Sequence, residues 1–400
     1  MKPTIARLAL GAAVGCILLA TLTPFPGAQQ PGSIGCLICG ARWSADALAN
    51  LILYAPLGVA LMINGRVGLR AAGWAGLLSV GTEFAQIFIP GRDPSLSDVC
   101  FNTLGAVAGQ MLAHVAARWA APQPRAAARL SAAAAVGAAV VFGLTGWLLS
   151  PALPASGLRA WYTADRPDLD FYHGRVLSTT LGSVRLSTGD LPDPREVRRL
   201  LLVGAPLRIL AVAGPRGRAL GSLYVIEDDT GNEVILVGPD RDDLVLRYRT
   251  HAIRLRLDQP DLRLRQAFAR VAPGDTLHIE TRRERGGYCL TVNQAHLCDL
   301  GFTIGSGWAL LLYPRHFPSW LRWLLEAGWV AGMVLPVGFW ARNRWQSALA
   351  AVALITAIAL IPRATGLIQT PGHQWLGAGI GCLIGATLQF ALRRGRIPAS

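Results

Sequence analysis

Seven polar residues set into an otherwise apolar stretch carry the chemistry of this chain. Glu83 and Gln86 stand three apart in TEFAQ, Arg92 follows in PGRDPSLS, and Asp98 and Asn102 stand four apart in SDVCFN. Asp46 and Asn50 repeat the Asp-x-x-x-Asn spacing earlier, in SADALAN. Spacings of three and four put both members of each pair on one face of a helix. Carboxylates and amides gathered this way can hold a charged or hydrogen-bonding group. Arg92 offers a guanidinium fork suited to phosphate or carboxylate and is the expected ion partner of Glu83. A second chemistry is open to the same residues, in which Glu83 or Asp98 acts as a general base whose pKa a dry pocket raises. The aspartates also have a purely structural reading as helix N-caps, and the asparagines as interhelical hydrogen-bond partners.

The elements that must position these residues are membrane helices. The chain of 400 residues is 52% hydrophobic and only 16% charged, with several apolar runs long enough for a bilayer core of about 30 Å. We expect a multi-span α-helical membrane protein of about eight spans: 5–23, 46–64, 69–89, 98–117, 131–149, 320–341, 347–361 and 374–392. Glu83 and Gln86 then end the third span, Asp98 and Asn102 open the fourth, and Asp46 and Asn50 open the second. The net charge of +14 falls largely on arginines that flank the apolar runs or lie mid-chain, so lipid rather than nucleic acid is the expected partner. Counting Lys2, Arg7, Arg66, Arg70, the cluster from Arg118 to Arg129, Arg342, Arg344 and the last arginines by the positive-inside rule places both termini in the cytoplasm and the polar motifs outside. Residues 5–23 also follow a short basic segment, as a signal peptide would, but TLTPFPG has no small-x-small cleavage site, so the span is expected to be retained. Arginine in place of lysine, with abundant alanine and glycine, fits a GC-rich bacterial genome and a cytoplasmic-membrane location.

Between 155 and 317 the pattern changes to alternation, as in GSLYVIEDDTGNEVILVG and DTLHIETRRERGGYCLTVNQAHLCDL, with Asp-Thr-Gly-Asn and Gly-Gly turns. Period two with such turns predicts an inserted all-β sandwich, jelly-roll-like, on the extracytoplasmic side. GWALLLYP is read as one of its strands. No carboxylate pair of the glycosidase kind stands out in it. Glu227, Asp228 and Asp229 read as a solvated hairpin turn or, alternatively, a calcium site, and its aromatics as core or as sugar-stacking surfaces. The expected domains are therefore 1–120, a four-helix membrane domain; 121–154, a fifth span and linker; 155–317, the sandwich; and 318–400, three C-terminal spans.

Cys36, Cys39, Cys289 and Cys298 all fall on the expected outer side, an even number that suits two disulfides. CLIC at 36–39 has a redox reading as well as a structural one. No metal site and no cofactor is expected.

DALANLILYAPLGVAL followed by TEFAQIFIPGRDPSLSDVCFNTLGAVAGQ closely resembles the VanZ-like family. Its pattern is matched by Asp46, Asn50, Pro56, Gly58, Glu83, Gln86, Arg92, Asp98, Asn102, Gly105 and Gly109 over residues of about 5 to 117. The resemblance implies a four-span membrane domain associated with low-level glycopeptide (teicoplanin) resistance. The end of the insert, YCLTVNQAHLCDLGFTIGSGWALLLYP, resembles the laminin-G or concanavalin-A-like sandwiches. TGLIQTPGHQWLGAGIG at 365–381 echoes TEFAQ and its Pro-Gly, with Gly366 in place of Glu83 and His373 in place of Arg92, as a decayed VanZ-like copy would. The expected function is a cell-envelope protein whose polar pocket binds a charged cell-wall precursor, glycan or lipid headgroup; the alternative is a membrane-embedded hydrolase or transferase. Oligomeric state is not set by the sequence.

Overall fold

A computed structural model describes residues 3–24, 40, 42–92, 94–166, 169–284, 286–313, 317–342 and 344–394. Cys36 and Cys39 lie outside the described residues. Five helices come first: α1 (Pro3–Leu22), α2 (Trp43–Ile63), α3 (Leu69–Gln86), α4 (Leu96–Trp119) and α5 (Pro124–Leu149). Three more close the chain: α7 (Ser319–Phe339), α8 (Arg344–Thr365) and α9 (Gly372–Arg394). Every expected span is a helix. Among the described residues six of them (α1, α2, α4, α5, α8 and α9) are long and apolar enough to cross a membrane. The other two carry Arg70 and Glu83 in α3 and Arg322 and Glu326 in α7.

Side-chain size decides how the helices pack. In the first bundle Ile17, Tyr54, Leu57, Leu61, Ala71, Ala75 and Ala106 form one buried cluster contributed by all four helices. Leu77, Phe84, Leu104 and Met111 stay exposed on its outside, as lipid-facing residues do. α2 and α4 run parallel, backbone against backbone. A Cβ on Gly105 would strike the carbonyl of Leu51, one on Gly109 that of Ala55, and one on Gly58 that of Ala106. This is small-residue packing, in which missing side chains let two helices approach closely. α7 and α9 pack in the same way, with Gly381 against Ala331, Gly385 against Leu335 and Gly338 against Cys382.

Between α5 and α7 lie two antiparallel six-stranded sheets. The strands are β1 (Leu158–Tyr162), β2 (Arg175–Leu181), β3 (Val184–Leu186), β4 (Gly189–Asp190), β5 (Leu207–Val212), β6 (Tyr224–Asp228), β7 (Glu233–Asp240), β8 (Asp243–Tyr248), β9 (Leu262–Leu264), β10 (Thr276–Glu284), β11 (Gly287–Val292) and β12 (Ala295–Leu300). One sheet has the order β4-β1-β6-β7-β8-β9 and the other β12-β11-β10-β5-β2-β3. Alternation does what the sequence pattern demands. In β10, Leu277, Ile279 and Thr281 point inward and the residues between them outward, where they meet Leu207, Ile209, Leu290, Tyr224 and Ile226 in one core. Each fully buried leucine or isoleucine there stabilises the domain by about 1.5–3 kcal/mol. A disulfide joins Cys289 of β11 to Cys298 of β12.

Three local expectations change. GWALLLYP is not a strand: Ile304–Leu310 is a buried 3-10 turn, opened by reciprocal hydrogen bonds between Thr303 and Ser306. It leaves the sheet because it packs against α5, α7 and α8. An amphipathic helix, α6 (Pro194–Val203), was hidden among strands. Asp193 caps it by accepting from the N–H groups of Arg195 and Glu196, and Gly204 ends it in the left-handed conformation. Asp228 is not a solvated turn residue. It is buried and accepts from Thr230, Asn232 and Arg249, the last at 2.6 Å.

Candidate functional site

The site is assembled at the sandwich-facing ends of α2 and α4. Their parallel glycine packing brings the two Asp-x-x-x-Asn starts side by side. Asn50 stands beside the Asp98 side chain, and Asp46 is close enough to Asp98 for the two charges to repel. Neither aspartate caps its helix. Ser95 is the N-cap of α4 and accepts from the N–H of Ser97, and Arg42 precedes α2 without a capping side chain. Both carboxylates still lie in a first turn, where the positive end of the helix dipole favours an anion. Neither is consumed as a cap.

The other four expected residues hold the frame. Glu83 is buried and accepts the backbone N–H of Ser95 at 2.9 Å, fixing the entry to α4. Gln86 donates to the carbonyl of Thr21 at 3.1 Å. Arg92 donates to the carbonyls of Thr23 at 3.0 Å and Ala20 at 2.6 Å. It therefore closes the C-terminal end of α1, a favourable place for a cation, and makes no ion pair with Glu83 among the described residues. Asn102, 1% exposed, donates to Ser79 at 2.9 Å and leaves its Oδ1 without a donor. Tyr54, fully buried, meets Thr82 at 3.4 Å.

Residues outside the motif complete the site. Trp43 donates from its indole to Ser97 at 3.2 Å and packs edge-on against Phe101. Arg42 lies 3.7 Å from Asp46 and 3.2 Å from Asp258 of the sandwich. Ala45 donates to the carbonyl of Arg256 in the same sandwich segment. Asp258 also accepts the N–H of Tyr313, so the segment that covers the site is itself tied down. Arg42 has a sequence signal, since it stands before α2 much as Arg92 stands before α4. Asp258, in an irregular RLRLDQP segment, has none.

The sandwich neutralises its own buried charges nearby. Arg263, 1% exposed, lies 2.8 Å from Asp261 and 2.7 Å from Asp240. Burial alone would lower its pKa, but the paired aspartates hold it firmly protonated. For Asp228 burial would raise the pKa, and the bonds from Thr230, Asn232 and Arg249 outweigh it, holding the group well below the usual carboxylate range. By contrast Arg42 lies between two carboxylates, Asp46 and Asp258, at this end of α2.

Four helices, the Asp-x-x-x-Asn starts and the buried glutamate form one arrangement, and its boundaries coincide with a known family. Residues 10–117 match the VanZ/LLP1 family. The match begins within α1 and ends near the end of α4, so the first bundle is a VanZ-like domain and the sandwich lies outside it. No curated protein and no solved structure matches the chain, and the sandwich stands as two antiparallel six-stranded sheets.

Proposed function

We propose that the VanZ-like domain binds a charged cell-wall or lipid headgroup at the outward-facing ends of α2 and α4, with the sandwich as its extracytoplasmic cover. The reading is carried by one observation: Asp46, Asn50 and Asp98 converge there with no capping role to account for them. The ligand meets Asp46 and Asp98 directly and Asn50 through its amide. Arg42 balances part of the charge and links the site to the sandwich. Glu83, Gln86 and Arg92 keep the helix ends in place. This assigns Arg92 to the frame, in place of the anion-binding role its residue type suggests.

The bacterial cytoplasmic membrane is the proposed location, and a contribution to glycopeptide (teicoplanin) resistance follows from the family resemblance. The test is native mass spectrometry of the gently solubilised full-length protein beside Asp46→Asn and Asp98→Asn. A co-purifying envelope molecule present in the wild type and lost in both variants supports the reading. Equal retention in all three forms, with unchanged teicoplanin susceptibility of the expressing strain, rejects it.

A further inference from the structure

The two glycine-packed helix pairs correspond residue for residue. Leu51, Ala55 and Gly58 of α2 take the places of Ala331, Leu335 and Gly338 of α7, and Gly105, Ala106 and Gly109 of α4 those of Gly381, Cys382 and Gly385 of α9. Both α2 and α7 carry an internal proline in the same place, Pro56 and Pro336. The contact of Trp43 with Ser97 recurs as Trp323 stacked on His373. Counting back along each helix in this register, Glu326 stands where Asp46 stands and Gln374 where Asp98 stands. His373 takes the place of Ser97, not of Arg92. Asn50 and Asn102 become the buried apolar residues Val330 and Ala378.

The second polar end is filled by the chain itself. Gln374, fully buried, donates from its amide nitrogen to Glu326 at 2.9 Å and to the hydroxyl of Thr303 at 2.6 Å. Its oxygen accepts the N–H of Gly305 at 3.2 Å. His373 adds a contact to Glu326 at 2.9 Å. An amide N–H₂ group therefore sits between the acidic residue of one helix and a hydroxyl of the sandwich turn.

The first end has the same scaffold and lacks that nitrogen at the Gln374 position, with the Asn50 amide standing beside Asp98 from the neighbouring helix. Asp98 replaces Gln374 and brings only acceptors, facing a second acceptor in Asp46. One turn deeper on the same face, the buried Asn102 keeps an acceptor without a donor. We infer that the first site takes a primary ammonium group, whose N–H donors supply from outside what Gln374 supplies from within the second. The inference rests on the proposed headgroup-binding role and narrows it to a chemical class. Three N–H donors and one positive charge match two carboxylates and a free carbonyl oxygen, and among the described residues Arg42, the ion partner of Asp46, is shared with Asp258. A primary ammonium occurs both on an amine-bearing lipid headgroup and on a free amino group of a wall peptide.

The test uses the full-length protein in nanodiscs of equal parts phosphatidylethanolamine, phosphatidylcholine and phosphatidylglycerol, with retained lipid read by native mass spectrometry. Ethanolamine and lysine amide serve as soluble competitors. Phosphatidylethanolamine enriched at least fivefold over phosphatidylcholine, which has the same phosphate but no N–H, is expected for a lipid source. Binding of lysine amide without lipid enrichment assigns the soluble source. In either case Asp98→Gln, which copies the second site, should abolish the preference while leaving the melting temperature within a few degrees of wild type. Enrichment of phosphatidylglycerol, or equal retention of the ethanolamine and choline lipids with loss in Asp98→Gln, overturns the ammonium inference and leaves the headgroup site standing. No bound lipid and no bound amine in any form overturns both.

Discussion

The helix pairs α2–α4 and α7–α9 are held together by the same glycines against the same carbonyls, and they end differently. At the α7–α9 end Gln374, Glu326 and His373 satisfy one another and a turn of the sandwich. At the α2–α4 end two carboxylates lie near each other with Asn50 beside Asp98, and one turn deeper the Oδ1 of Asn102 has no donor. A glutamine exchanged for an aspartate, together with Val330 and Ala378 in the places of Asn50 and Asn102, separates a self-satisfied junction from one that wants a partner. Packing can thus be repeated while the polar chemistry on top of it diverges.

The strongest way to break this comparison is through the packing. Gly105→Val and Gly381→Val each force a side chain into a neighbouring backbone, and each should cost about 3 kcal/mol or more. Thermal unfolding of the two variants should show similar losses, and a large loss in only one would sink the equivalence of the pairs. Next comes the contrast in sign. Gln374→Ala leaves Glu326, Thr303 and the Gly305 N–H short of partners and should lower stability by about 2 kcal/mol. Asp98→Asn in protein stripped of lipid should raise it by about 0.5 kcal/mol as the repulsion with Asp46 is relieved. Chemical denaturation of both variants in one detergent reads the two signs directly.

The sandwich serves as a reference that neither end controls. Because the folded Asp228 has a depressed pKa, its contribution is fully present above the unfolded value near 4 and is lost as pH falls toward the folded value. Asp228→Asn should therefore cost about 1.5 kcal/mol at pH 7 and progressively less below pH 4, measured by the denaturation midpoint of the β signal. A gap between variant and wild type that widens on acidification would contradict the assignment. A modest loss is expected from Arg92→Ala, about 1 kcal/mol from the two carbonyl bonds at the end of α1. Hydrogen exchange in α1 should rise while headgroup retention stays within twofold; a collapse of retention would return Arg92 to the binding site.

Much of this was legible in the sequence because it is encoded locally. Apolar length gives the helices, spacing of four gives the shared faces of Asp46 with Asn50 and Asp98 with Asn102, and Gly105 with Gly109 announces the close helix contact. Cys289 and Cys298 flank a strand turn, which brings them together. What stayed hidden depends on main-chain acceptors or on loop lengths. The partners of Arg92 are carbonyls of Ala20 and Thr23, which any residue type would present, whereas Glu83 was the visible charge nearby. The connection before α9 is shorter than the one before α4, so aligning on Pro-Gly set His373 against Arg92, and only the glycine contacts across the helix pair fix its true place at Ser97. GWALLLYP, which begins inside the turn Ile304–Leu310, reads as a strand because its apolar residues face helices rather than the opposite sheet.

The sandwich is fastened to both helix pairs. Arg42 with Asp258 and Ala45 with Arg256 tie it to α2, and Gln374 with Thr303 and Gly305 ties it to α9. Each pair is packed backbone to backbone into one rod. The domain between them is therefore a bridge pinned at two piers: any tilt of one rod against the other must bend the deck or pull out a pin.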